Sequence, residues 1–277
     1  QKKYSRNTEF FKETEAYELA KAVEDGDLKS IESLVKKDST LLKVTNPTTG
    51  SNVLVLSIYL EKFESFKKLL ELGADPNFIN PYTRYSVLIE SIMPFGNQFE
   101  WRKENQYAEL LLDYGANPNY ALENDFIADS SGVKGLIMAT SPLIKASRFD
   151  LDLVKSLIKR GADPYRKLGS KQVTPFSAAV ESRKIDIINY YIDSLKVDVH
   201  QPMEKITKKS NNKEVTYYIQ DYITNKFTKA KIMGDSVKLA ELKKKNDGIA
   251  EANQELWYLI KKLQKMGVDF KNYDYKK

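Results

Sequence analysis

The sequence predicts an all-α solenoid of about six helix–turn–helix repeats, laid one after another along 277 residues. Three observations carry that expectation. A short glycine phrase recurs, an apolar stripe of fixed spacing precedes each copy, and a capping phrase opens the helix before the stripe. Recurrence at a period of about 20–50 residues is the signature of stacked supersecondary units.

The glycine phrase reads Gly73-Ala74-Asp75-Pro76-Asn77, Gly115-Ala116-Asn117-Pro118-Asn119 and Gly161-Ala162-Asp163-Pro164. Gly267-Val268-Asp269 is a weaker copy, and Val197-Asp198-Val199-His200 fills the same place without a glycine. Glycine closes a helix because it accepts the left-handed conformation, and Asp or Asn then turns the chain. Counting back 10, 7, 4 and 3 residues from the glycine slot gives one apolar face, with one position missed before Gly115 (Asn105) and one before Gly267 (Gln264). It is Leu151, Val154, Leu157 and Ile158 before Gly161, and Phe63, Phe66, Leu69 and Leu70 before Gly73. Ile185, Ile188, Tyr191 and Ile192 precede the slot held by Leu195, and Leu28, Ile31, Leu34 and Val35 precede Asp38. Such spacing is a single stripe on a helix of 3.6 residues per turn.

The capping phrase is Thr174-Pro175-Phe176-Ser177-Ala178-Ala179 and Ser141-Pro142-Leu143-Ile144-Lys145-Ala146. Asn52-Val53-Leu54, Ser86-Val87-Leu88 and Thr216-Tyr217-Tyr218 are degraded forms. Thr, Ser or Asn accepts a bond from an otherwise orphaned backbone N–H, and proline follows where no donor is needed.

Helix, turn, helix, glycine stop and loop resemble the ankyrin repeat, with its T-P-L-H-x-A and G-A-D-x-N phrases. Repeats fall at about 16–46, 47–80, 81–120, 121–165, 166–200 and 201–272. Residues 1–15 form an N-terminal segment, 16–203 hold repeats one to five, and 204–277 form a degenerate sixth repeat and cap. Departures from the pattern are the missing histidine, a first repeat without its hairpin phrase, and stretched spacing: the Asp75 slot recurs after 42, 46, 35 and 71 residues. The excess lies in insertions at 93–104, 121–138 and 224–250, the second read as an enlarged loop and the third as carrying a helix.

Composition narrows the function. No apolar run approaches the roughly 18 residues of a membrane span, so membrane insertion is not expected. Without cysteine the chain has no disulfide and no thiolate ligand. With one histidine it has no histidine-based metal site, and His200 in the Asn slot reads as a turn residue. Phosphate-binding glycine loops and nucleophile elbows are missing. Neither an enzyme nor a cofactor, metal or small-molecule substrate is therefore expected. Residues 204–277 carry 17 Lys, no Arg and 10 acids, a net charge of +7. Interleaved acids and the lack of arginine favour a solvated cap over a nucleic-acid site.

The resemblance implies a platform whose concave face and loop tips recognise a partner protein. Tyr82, Arg84 and Tyr85 occupy the loop tip of repeat three, and Phe126 the enlarged loop. Phe99, Trp101 and Arg102 lie in the 93–104 insertion, and Lys145 and Arg148 on an inner helix. Aromatic residues and arginine dominate interface hot spots, which makes these the expected contacts. The opening Gln1 and the lack of cysteine point to a processed, periplasmic or secreted protein. There it would act as an immunity protein or inhibitor sequestering a toxin or secreted enzyme. A cytoplasmic scaffold, or a lysine-mediated binder of nucleic acid or an anionic surface, is the alternative.

Overall fold

A computed structural model describes residues 8–92, 105–130, 132–208, 213–245 and 254–276. The chain divides into two compact units, Gln1–Lys145 with Lys155–Asp163, and Ala146–Val154 with Pro164–Lys277. Helices dominate, as expected.

In the first unit, helix pairs α1 (Tyr17–Asp25)/α2 (Leu28–Lys37), α3 (Val53–Tyr59)/α4 (Phe63–Glu71) and α5 (Val87–Ile92)/α6 (Gln106–Asp113) follow one another. Helix α1 packs on α3 and α3 on α5, while α2 packs on α4 and α4 on α6. First helices thus line one side of the stack and second helices the other, as the resemblance to the ankyrin repeat implies. The stripes are consumed in this packing: Ile31, Val35, Phe66, Leu69, Leu70, Leu111 and Leu112 are buried. Tyr107 of α6 meets Phe63 and Phe66 of α4 edge-on, with ring centroids 5.1 and 5.0 Å away. Aromatic pairs of this geometry are worth about 0.5–1.5 kcal/mol beyond the area they bury.

The fourth pair, α7 (Pro142–Ala146)/α8 (Leu151–Lys159), is the one through which the division of the chain runs. In the second unit α9 (Pro175–Glu181) pairs with α10 (Ile185–Asp193), and α11 (Ile219–Ile223) packs on α9. Helix α14 (Gln254–Lys265) packs on α10. Between α11 and α14 the described residues make two further helices, α12 (Lys226–Met233) and α13 (Ser236–Lys245), which pack on each other. The tail then ties onto α11, since buried Asp221 accepts from the Tyr273 hydroxyl at 2.6 Å and the Lys276 N–H at 2.8 Å.

The caps work as their residue types dictate. Side-chain oxygens of Asn52, Ser86, Ser141 and Thr174 accept from the N–H three residues on, at 3.0–3.3 Å. The sixth copy differs from its expected form. Thr216 lies within a strand, and the helix is capped instead by Asp221, which accepts from the Tyr218 N–H at 3.0 Å. Gly161 closes α8 at φ 90°, and a Cβ there would meet nothing within 4 Å. Gly161→Val is therefore expected to cost about 1–3 kcal/mol through the backbone alone, measured by denaturant unfolding. In the fifth copy Lys196, at φ 55°, takes the left-handed turn rather than Leu195, one residue later than the spacing implies.

The Asn slot of the glycine phrase joins each turn to the next. Asn77 donates to the Gly115 carbonyl at 3.1 Å and accepts from the Asn117 N–H at 2.8 Å. Asn119 does the same with Gly161, at 2.6 Å, and with Asp163, at 2.8 Å. In the second unit Tyr165 donates to the Leu195 carbonyl at 2.9 Å. His200 places Nε2 3.1 Å from the Met266 carbonyl, a partner that only an N–H can serve. Its reading as a turn residue thus acquires a reason: it occupies the orphaned carbonyl of a helix end.

Two strand pairs stand apart from the all-helical expectation. The 121–138 segment is not merely an enlarged loop but holds a hairpin, β1 (Phe126–Asp129) with β2 (Lys134–Ile137). A second hairpin joins β3 (Glu204–Lys208) to β4 (Lys213–Tyr217). Alternating side chains, which period-3.6 reasoning does not look for, account for both.

Candidate functional site

Between one helix pair and the next, each loop folds into a finger closed by an antiparallel bridge. In the first unit the bridges are Thr45 to Asn52, Ile79 to Ser86 and Leu122 to Thr140. The first two tips share a phrase that the sequence reading passed over, Asn46-Pro47-x-Thr49 and Asn80-Pro81-x-Thr83, spaced by 34 residues. Asn46 Oδ1 accepts from the Thr48 and Thr49 N–H groups, and Asn80 Oδ1 from those of Tyr82 and Thr83. An Asx turn of this kind builds the tip from a single short side chain. Finger two then leans on finger one. Asn80 Nδ2 donates to the Thr49 carbonyl at 3.1 Å, and the Tyr82 hydroxyl to the Pro47 carbonyl at 3.0 Å. Gly50 permits the approach, since a Cβ there would lie 2.7 Å from Asn80 Oδ1.

Finger three is the hairpin. Its register pairs Phe126 with Ile137, Ile127 with Leu136, Ala128 with Gly135 and Asp129 with Lys134. Paired residues share a face and alternate residues change face. One face packs inward, where Phe126, Ile137 and Tyr120 rest on Tyr85, Ile89 and Leu122. The base is pinned by Asp125, which accepts from the Ala139 N–H at 2.7 Å. Near the tip, a Cβ on Gly132 would lie 2.3 Å from the Thr48 carbonyl, so finger three reaches across to finger one.

The opposite face carries Ile127, Leu136 and Met138, which are 73%, 60% and 47% exposed. Beside them stands the loose Asp129–Lys134 pair, at 3.9 Å. A half-buried hairpin ordinarily turns polar residues outward. Three large apolar side chains in water on one short face are not explained by folding. Sequence reasoning named Phe126 alone here, whereas alternation along Phe126-Ile127-Ala128-Asp129 would have flagged Ile127 as its outward neighbour.

Of the residues expected to make contacts, Tyr82, Arg84, Tyr85, Phe126 and Lys145 come together in the first unit. Arg84 is exposed at φ 56°, with its guanidinium 4.4 Å from the Phe126 ring centroid. Tyr82 is half-buried. Tyr85 is not an exposed tip residue. At 7% exposure it belongs to the core beneath the hairpin, where its hydroxyl donates to the Met138 carbonyl at 3.0 Å. Burial and the nearby Glu90 charge push its pKa up to about 12. Lys145 Nζ lies 5.7 Å from the Tyr85 ring centroid. Arg148 lies in the second unit, where it pairs with Glu181 at 2.6 Å. Phe99, Trp101 and Arg102 lie outside the described residues.

Beneath finger two sits a carboxyl that the sequence reading did not single out. Glu90 of α5 is 1% exposed and accepts from the Tyr59 hydroxyl at 2.5 Å and the Thr83 hydroxyl at 3.3 Å. Burial raises its pKa, opposed by these two bonds and by the Lys145 charge. It ties α3, α5 and the finger tip together. Among the described residues, no group of three His, Cys, Asp or Glu side chains is placed to hold a metal ion. Nor is any helix among them long and apolar enough to cross a membrane.

No family model and no curated protein matches the chain. Among solved structures, it is similar to the crystal structure of the human ASB11 ankyrin repeat domain, with 16% identity and a TM-score of 0.46. The match covers 66% of this chain and 71% of that one.

Proposed function

We propose that this ankyrin-type chain binds another protein through the fingers of its first unit, with the outward face of finger three as the anchor. One observation carries this reading: Ile127, Leu136 and Met138 stand exposed together on a hairpin whose other face is fully used. Apolar surface of this kind is retained where a partner covers it. Tyr82 and Arg84 supply the aromatic and guanidinium contacts that enrich interface centres, on fingers braced against one another. A braced surface loses little conformational freedom on binding.

In its specific form the proposal makes the chain an inhibitor that sequesters a toxin or secreted enzyme outside the cytoplasm. The general reading is tested by immobilising the full chain and capturing its partner from the cells or culture fluid of its source. A captured protein should be retained by the parent chain and lost from an Arg84→Ala variant of unchanged melting temperature. Equal retention by that variant moves the site off the fingers. Inhibition of the captured protein's own activity tests the specific form.

A further inference from the structure

The second unit carries a surface that finger binding leaves unused. Helices α12 and α13 pack on each other and meet at a tight turn, where Gly234 closes α12 at φ 71° and Asp235 accepts from the Lys238 N–H at 2.9 Å. Met233, the last residue of α12, is 52% exposed, and Val237, in the first turn of α13, is 72% exposed. The same two helices carry lysines: Lys226, Lys231 and Lys238 are exposed and Lys229 half-buried. Lys238 pairs with Glu241 at 3.2 Å, an exposed pair of little strength. The others do not meet carboxylates among the described residues. Lys231 lies 4.1 Å from the Trp257 ring centroid, with Lys261 at 4.8 Å, and Lys229 lies 3.9 Å from that of Tyr275. Ring faces hold these ammonium groups in place while leaving their charge unneutralised. Residues 226–245 contain seven lysines against Asp235 and Glu241, a net charge of +5.

We infer that the α12–α13 turn docks on the surface of an anionic lipid bilayer, with Met233 and Val237 entering the interface and the lysines facing the headgroups. Charge complementarity alone would admit any polyanion; two further features select lipid. Exposed Met and Val find no counterpart in a nucleic-acid backbone, whereas a bilayer offers apolar depth beneath its negative surface. Lysine without arginine supplies point charges, suited to a diffuse field rather than to the planar fork that reads phosphates and bases. Trp257 and Tyr275 already have lysines on their rings, so bases do not have those faces for stacking.

Co-sedimentation of the full chain with vesicles tests this. Binding is expected to vesicles of phosphatidylcholine mixed with phosphatidylglycerol, not to phosphatidylcholine alone, and to weaken as salt shortens the screening length. Lys226→Gln, Lys231→Gln and Lys238→Gln should each weaken it about fivefold, the equivalent of roughly 1 kcal/mol per lysine. Met233→Ser with Val237→Ser should reduce it further while the circular dichroism melt stays unchanged. The inference is overturned if anionic vesicles do not retain the chain, or if neutral vesicles retain it equally. It is equally overturned if the Ser variant binds as the parent does, or if duplex DNA competes vesicles away, since charge alone would then suffice.

Discussion

Ile127→Asp with Leu136→Asp is expected to weaken partner binding at least thirtyfold while leaving the core of the fold intact. Both side chains point into water, at 73% and 60% exposure, so the cost to the fold is confined to their own cross-strand pairing and to the repulsion of the two carboxylates placed opposite one another, about 1 kcal/mol. In the complex the same positions would bury two carboxylates against an apolar partner surface. Truncation of an interface hot spot costs about 2–4 kcal/mol, and a buried unpaired charge adds to that. Measured by calorimetry against the captured partner, binding should fall by at least thirtyfold, the equivalent of about 2 kcal/mol. Phe126→Asp is the contrasting variant. Its ring rests on the Tyr85, Ile89 and Leu122 core, so it should lower the melting temperature as well. Full affinity in the double variant would remove the hairpin face from the site.

Glu90 should make the first unit's stability depend on pH. Its folded pKa lies above the ordinary carboxyl value of 4.5, because burial penalises the charged form more than Tyr59, Thr83 and Lys145 relieve it. A group of this kind gives its full stabilisation below the unfolded pKa, and that contribution is lost as pH rises through the folded value. Denaturant unfolding of the parent should therefore show a decline above about pH 4.5 that is missing from Glu90→Gln. The amide keeps the shape and offers both an acceptor and donors to the two hydroxyls. Glu90→Leu is expected to cost about 2–4 kcal/mol at any pH, since the buried Tyr59 and the Thr83 hydroxyls lose their acceptor. A parallel pH dependence in parent and Glu90→Gln would show that Glu90 does not titrate in this range.

Much of the architecture was legible in the sequence because its causes lie within a few residues. The stripe ending at Leu69 and Leu70 states which helical face is buried, and that face is buried. Thr174 followed by Pro175 states where a helix starts, and its hydroxyl accepts from the Ser177 N–H. Gly161 states where one ends, at φ 90°. The hairpin in 121–138 is less legible for a different reason: its period of two runs over only four residues per strand, too short to stand out from the helical period of 3.6 around it.

By itself the sequence determined the repeat, the register of the packed faces, the helix caps and the segregation of lysine to the last quarter. Each is set by local backbone chemistry or by composition. The tertiary structure decided which finger residues a partner can reach. Tyr85 looks like Tyr82 in the sequence, three residues apart on one tip, yet it is the hairpin, some forty residues on, that buries Tyr85. Glu90 looks like an ordinary helical acid until Tyr59, 31 residues earlier, closes over it. Ile127 and Leu136 become one exposed face only because the strand register sets them side by side. Burial and exposure in these cases depend on contacts made by distant residues, and no window of neighbours contains that information.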